Sequence, residues 1–214
     1  MNRIKRKFVI KYSDFISNYF YQQITFLITK SIYKTDITPN QITLLSLLFG
    51  FFSAISIYYH QLIIGVIFLN ISFIMDCLDG QIARVKNMQS AFGMWLDNTS
   101  DRVVENIVIL AIIFSNLYST VLYGGIILLF LNMMYAYMSD MIIYQKRVYP
   151  HLTKKEKIIF SPIYFISRSM IIPLLSLLIL FPIIFIWVIN ILYCYGIIFR
   201  IYREITLKSA KTDV

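Results

Sequence analysis

Two cysteines, two histidines and eleven acidic residues are all that this 214-residue chain offers to soft-metal and acid–base chemistry. Cys77 and Cys194 fall inside apolar helical runs, so neither a disulfide framework nor a thiolate metal site is predicted. His151 stands in a basic stretch and is read as a solvated loop residue. Charge is also scarce: 14% of residues are charged against 58% hydrophobic, and the mean hydropathy of +0.69 excludes an ordinary soluble domain. Internal repeats and low-complexity linkers are missing, and the basic start, Met1 to Lys7, is not followed by a signal-peptide core and cleavage site. One domain, 1–214, is the simplest reading.

The predicted fold is all-α: a polytopic membrane bundle of about six transmembrane helices, at about 41–60, 62–79, 97–117, 121–143, 166–181 and 183–203, each near the length that crosses a bilayer. Together they form a bundle over 39–205, preceded by a cytoplasmic or interfacial segment, 1–38, and followed by a cytoplasmic tail, 206–214. Within 12–36, Phe15, Tyr19, Phe20, Ile24, Leu27, Ile28 and Ile32 recur at helical spacing among polar residues, which predicts an amphipathic helix along the membrane surface. With the N-terminus inside, the Lys and Arg residues gather in or beside 1–40, 80–93, 144–160 and 204–214, and the loops near His60, Asn116–Thr120 and Leu180–Pro182 carry none. The positive-inside rule therefore predicts a multi-pass integral membrane protein. The net charge of +9 is spread over short membrane-flanking loops, which points to anionic lipid as partner and away from nucleic acid.

Between Asp76 and Asp101 four aspartates, an arginine and two glycines interrupt the apolar sequence. Asp76 and Asp79 are spaced i,i+3, and Asp97 and Asp101 i,i+4, so each pair projects from one helical face. Four converging carboxylates repel one another in a poorly solvated site unless cations neutralise them, and two divalent ions would balance four charges. All-oxygen ligands favour Mg²⁺, with Mn²⁺ as the alternative. Such ions keep positions open for phosphate oxygens, which suggests a diphosphate ligand. Gly80 would let it approach the backbone, and Arg84, one turn on, would pair with it.

The residues Asp76, Asp79, Gly80, Ala83, Arg84, Gly93, Asp97 and Asp101 reproduce the pattern Asp-x2-Asp-Gly-x2-Ala-Arg-x8-Gly-x3-Asp-x3-Asp, which resembles the signature of the CDP-alcohol phosphotransferase family at every fixed position. The resemblance implies a membrane enzyme of phospholipid biosynthesis that moves a phospho-alcohol from a CDP-linked donor such as CDP-diacylglycerol to the hydroxyl of a small polar alcohol and releases CMP. It implies metal binding by Asp76, Asp79 and Asp97, with Asp101 also at the metal and serving as general base, and donor contacts from Gly80, Arg84 and Ser90. The run Thr38 to Ser46 resembles the family's first membrane segment, which places Pro39, Asn40, Gln41 and Ile42 against the nucleotide. Thr38 and Pro39 equally suit a helix start. The active site then falls on the cytoplasmic side; a homodimer is left open.

Outside the motif, Arg102 and Glu105 are i,i+3 and are expected to pair, either structurally or as an electrostatic rim. Asp140, near the cytoplasmic end of the fourth span, is an acceptor-binding candidate or a carboxylate snorkelling to water. Arg168, before the fifth span, would hold an acceptor phosphate or anchor the chain at the surface. Asn132 and Asn190 read as interhelical hydrogen-bond partners. Two other classes fit less well. A membrane prenyltransferase also binds diphosphate through Mg²⁺ but uses two separated motifs, and a cation-coupled transporter has no need of the Gly80 and Arg84 elements. A different CDP-alcohol, of the CDP-inositol or CDP-amino-alcohol type, remains open as donor, and the acceptor is open among glycerol 3-phosphate, inositol phosphate, inositol and serine.

Overall fold

The computed structural model describes residues 21–116, 118–144 and 168–212, with backbone alone for Gln22, 139–144, 168–170 and 206–212. Seven helices are described, and no strand: α1 Gln22–Ile32, α2 Pro39–Tyr58, α3 Leu62–Val85, α4 Ala91–Ser115, α5 Ser119–Tyr144, α6 Arg168–Leu180 and α7 Pro182–Thr212. Six of them fall on the six predicted spans. By length and hydropathy four qualify as membrane-crossing: α2, α3, Ser119–Met138 of α5 and Pro182–Ile205 of α7. α4 is as long but carries Asp97, Asp101, Arg102 and Glu105, and α6 has only 13 residues, with Pro173 inside it. The part of the interfacial helix before Tyr21 and the loop containing His151 lie outside the described residues.

The helix ends follow from local chemistry. α2 starts in a capping box, in which Thr38 Oγ1 accepts from the Gln41 N–H at 3.4 Å and Gln41 Oε1 accepts from the Thr38 N–H at 2.9 Å, with Pro39 at the first helical position. α3 ends with Asn87 at φ 55°, the left-handed region that Asn tolerates better than most residues. The Met88 N–H donates to the Ala83 carbonyl at 2.8 Å and the Asn87 N–H to Arg84 at 3.4 Å, which closes the helix and turns the chain into α4.

α2 packs on α3 and α4, α1 and α6 on α3, α5 on α4 and α7, and α6 on α7. The largest buried cluster runs through Leu69, Val108, Ile112, Leu128, Leu175 and Ile186. Lipid tails are as apolar as these side chains, so close packing and interhelical hydrogen bonds must supply the association that water supplies to soluble proteins. Both are present. A Cβ on Gly50 would lie 2.4 Å from Val104 Cγ2, so α2 and α4 approach to a distance only glycine permits. Ser46 Oγ donates to the Ser72 carbonyl at 2.9 Å and Ser72 Oγ to the Ser46 carbonyl at 2.8 Å, which ties α2 to α3 twice at one level. Asn190 Nδ2 donates to the Gly124 carbonyl at 2.9 Å, the interhelical role expected of it.

Gly50→Val should overpack the α2–α4 contact and cost on the order of 1–3 kcal/mol. In detergent it should lower the unfolding temperature, and Val104→Ala in the same chain should recover much of the loss. Equal melting of wild type and Gly50→Val would show that the two helices separate freely there.

Candidate active site

The N-termini of α2 and α4 and the C-terminus of α3 meet at one end of the bundle, which brings the whole motif together. Asp76, Asp97 and Asp101, each half-buried, contribute one carboxylate oxygen apiece to a group whose atoms all lie within 4.8 Å of one another. Three hard donors so close form a suitable cradle for a divalent cation. Asp79 stands apart. It is 4% exposed and accepts a hydrogen bond from Thr43 Oγ1 of α2, so the fourth carboxylate is turned towards α2. Sequence reasoning missed Thr43, whose signal was a hydroxyl one turn beyond Pro39 on the α2 face that meets α3.

Asp79 and Asp97 line a cavity of about 560 Å³ with Pro39, Asn40, Gly80, Arg84 and Ser90, all predicted donor-side residues. Gln41 and Ile42 do not line it: the Gln41 side chain is engaged in the capping box, and Ile42, 2% exposed, packs with Leu78 and Ile82. Ser90 caps α4, its Oγ accepting from the Gly93 N–H at 2.9 Å. Two helix N-termini therefore open on the cavity, and their free N–H groups and dipoles favour an anion. A Cβ on Gly80 would lie 3.0 Å from Arg84 Nη1, so the guanidinium rests over the space that glycine leaves. At Gly93 a Cβ would meet Asn40 Oδ1 at 3.3 Å, and the missing side chain there admits Asn40 between α2 and α4.

On the other side of the carboxylates, Asp76 and Asp101 face a small void with Ser46, Ser72 and Glu105. Arg102 and Glu105 pair as expected, at 2.7 Å. Asp140 lies in the last turns of α5 and Arg168 begins α6, but their side chains lie outside the described residues. Arg200 of α7, which sequence reasoning passed over, places its guanidinium 4.1 Å from the Tyr135 ring centre.

α1 holds this end from the side. Gln81 Nε2 donates to Thr25 Oγ1 at 2.6 Å, and Thr29 Oγ1 donates to Gln81 Oε1 at 3.0 Å, all three residues buried. Lys86 Nζ donates to the carbonyls of Thr35 at 2.5 Å and Ile37 at 2.7 Å, pinning the α1–α2 linker to the end of α3. The face α1 turns to α3 thus carries threonines as well as Ile28 and Ile32, and Leu27 points outward.

A family model described as CDP-alcohol phosphatidyltransferase matches residues 36–202, well over half of the chain. The chain belongs to the CDP-alcohol phosphatidyltransferase family. Membership, with four helices long and apolar enough to cross a bilayer, makes it an integral membrane protein. It is 43% identical over 68 residues to a bifunctional IPC transferase and DIPP synthase of Aquifex aeolicus, a match covering 32% of this chain and 16% of that protein. It is 35% identical over 78 residues to the archaetidylinositol phosphate synthase of Pyrococcus horikoshii, covering 36% of this chain and 42% of that protein. Each match thus spans less than half the length of the relative. In fold it resembles the phosphatidylinositol phosphate synthase of Mycobacterium tuberculosis solved with CDP-DAG bound, with a TM-score of 0.61 at 18% identity over 85% of this chain and 93% of that one. The same enzyme in complex with manganese and citrate gives a TM-score of 0.63 at 16% identity, over 84% and 88%.

Gln81→Ala removes the link from α3 to Thr25 and Thr29; Thr25 keeps its bond to the Tyr21 carbonyl, so the buried Thr29 hydroxyl bears the cost of an unsatisfied polar group, roughly 1–3 kcal/mol. Hydrogen exchange in α1 should accelerate while that of the α4–α5 contact stays slow. Unchanged protection of 22–32 would mean that apolar contacts alone hold α1.

Proposed function

We propose that this family member transfers a phosphatidyl group from CDP-diacylglycerol to the hydroxyl of a small polar alcohol and releases CMP. The observation that carries the reading is the cavity beside Asp79 and Asp97, which combines Arg84, two helix N-termini and adjoining carboxylates at a single place. A diphosphate needs such a mixture: donors for its oxygens and a cation bridge to the acidic residues.

Asp76, Asp79, Asp97 and Asp101 would hold two Mg²⁺ ions, or Mn²⁺. When bound, the ions neutralise charge on the diphosphate. Gly80, Arg84, Ser90, Pro39 and Asn40 orient the CDP end, Gln41 and Ile42 supporting that wall from behind. Asp101 takes the proton of the acceptor hydroxyl. The oxygen so activated bonds to the β-phosphorus while the bond from that phosphorus to the bridging oxygen breaks, and CMP leaves with the electron pair. Positioning and electrostatics supply most of the rate. The positive-inside pattern supports a site reached from the cytoplasm.

The relatives' names support an inositol phosphate as acceptor, and Arg168 and Asp140 are the residues assigned to it. The Aquifex relative, named for an IPC transferase, favours a second reading in which the donor is another CDP-alcohol, such as CDP-inositol. Incubating membranes containing the chain with Mg²⁺, either donor and a panel of inositol phosphate, glycerol 3-phosphate, inositol and serine, and following CMP, separates the two. No CMP from any pair would sink both.

Turnover should vanish with EDTA and return with Mg²⁺ or Mn²⁺. Asp76→Ala, Asp79→Ala and Asp97→Ala should weaken Mn²⁺ binding along with activity, whereas Asp101→Asn should lose activity and retain much of the CDP affinity. Near-wild-type turnover of Asp101→Asn at saturating acceptor would remove the general-base role. For a phosphorylated acceptor, a bidentate guanidinium contact is worth about 1.5–3 kcal/mol, so Arg168→Ala should raise the acceptor KM roughly 10- to 150-fold and leave the donor KM nearly unchanged. Equal losses for both substrates would reassign Arg168 to membrane anchoring.

A further inference from the structure

Lys86 follows Arg84 by two residues, lies outside every fixed position of the motif and is absent from the lining of the cavity. It is the C-cap of α3, half-buried, and its own N–H donates to the Ile82 carbonyl at 2.9 Å. Its ammonium crosses to a different segment. Nζ donates to the carbonyls of Thr35 and Ile37, which stand 51 and 49 positions earlier in the α1–α2 linker. A lysine carries three donors on one flexible stem, so a single side chain can serve both carbonyls.

What this contact fixes follows from covalent chemistry. The Ile37 carbonyl and the Thr38 N–H belong to one planar peptide group. Lys86 holds its oxygen at 2.7 Å and Gln41 Oε1 accepts from its N–H at 2.9 Å, so the plane is clamped on both edges. Pro39 comes next, with φ set by its ring, and then Asn40. Both line the cavity together with Gly80 and Arg84 of α3. The orientation of the Ile37–Thr38 peptide therefore governs how the first turn of α2 stands against the end of α3. Deeper in the bundle these helices are tied by Thr43 with Asp79 and by Ser46 with Ser72; at this end Lys86 ties them.

We propose that Lys86 is a positioning residue for the nucleotide end of the donor. It sets the gap between the α2 wall, Pro39 and Asn40, and the α3 wall, Gly80 and Arg84, and it acts through the linker backbone. The inference rests on the donor reading given under the proposed function. A lysine that merely held the fold would, when removed, loosen the bundle at large. A positioning lysine loosens the first turn of α2, and the nucleotide with it.

The test measures CMP binding to the full-length chain in detergent with Mg²⁺, by calorimetry, beside hydrogen exchange of the same samples. Lys86→Met keeps the stem and removes the donors. It should weaken CMP about five- to tenfold, the scale of two partly exposed charge-assisted hydrogen bonds. Exchange of the amides in 38–42 should accelerate, while that of the α4–α5 contact stays slow. Lys86→Arg, which restores donors at similar reach, should recover most of the affinity and the protection. Unchanged CMP affinity in Lys86→Met, or equal weakening in Lys86→Met and Lys86→Arg, overturns the proposal. Weaker CMP with unchanged exchange in 38–42 overturns it as well, because Lys86 would then act by its charge alone. A wild-type chain that binds no CMP overturns the donor reading along with this inference, so the wild-type titration tells the two failures apart.

Discussion

Mutual repulsion among aspartates at one end of a bundle is the constraint on which the rest of this molecule depends. Three carboxylate oxygens within 4.8 Å of one another are unfavourable in a medium of low polarity, and the surrounding chain is arranged to make them tolerable. Thr43 draws Asp79 aside with a hydrogen bond, two helix N-termini bring partial positive charge to the same end, and Arg84 lies over Gly80. The apolar helices beneath act as a rigid mount. Their own association rests on Gly50 against Val104 and on the reciprocal Ser46 and Ser72 bonds.

The motif was legible because its chemistry is carried by spacing along helices, and helical spacing converts directly into shared faces. The places of the apolar helices were legible for the same reason, since apolar length is a property of sequence alone, although among the described residues four of the six expected spans are long and apolar enough to cross a membrane. Helix ends were less so. The third predicted span starts at 97, whereas α4 begins at Ala91, because the left-handed turn at Asn87 and the Ser90 cap start the helix six residues before Asp97.

What spacing does not specify is which neighbour a face meets. The family resemblance sets the run Pro39 to Ile42 against the nucleotide as a block, yet four consecutive helical residues cover a full turn and point in four directions. Pro39 and Asn40 reach the cavity, Gln41 turns back to cap the helix and Ile42 faces the core. In the same way Thr43 and Gln81 are unremarkable in sequence, because a polar residue on a helix gains meaning only from the helix opposite. The hydrogen bond that Asp79 accepts is equally hidden in the sequence, because its partner Thr43 stands 36 positions away.

The bond between Gln81 and the two threonines of α1 also bears on the order in which the chain assembles. Thr25 and Thr29 leave the ribosome more than fifty residues ahead of Gln81, the separations being 56 and 52 positions. During that interval the hydroxyls of α1 have only water, lipid headgroups and their own backbone to bond, as Thr25 does with the Tyr21 carbonyl at 3.0 Å. α1 therefore completes these bonds only after α3 has been made. The aspartate-bearing end is thus complete only when a segment made early meets one made later.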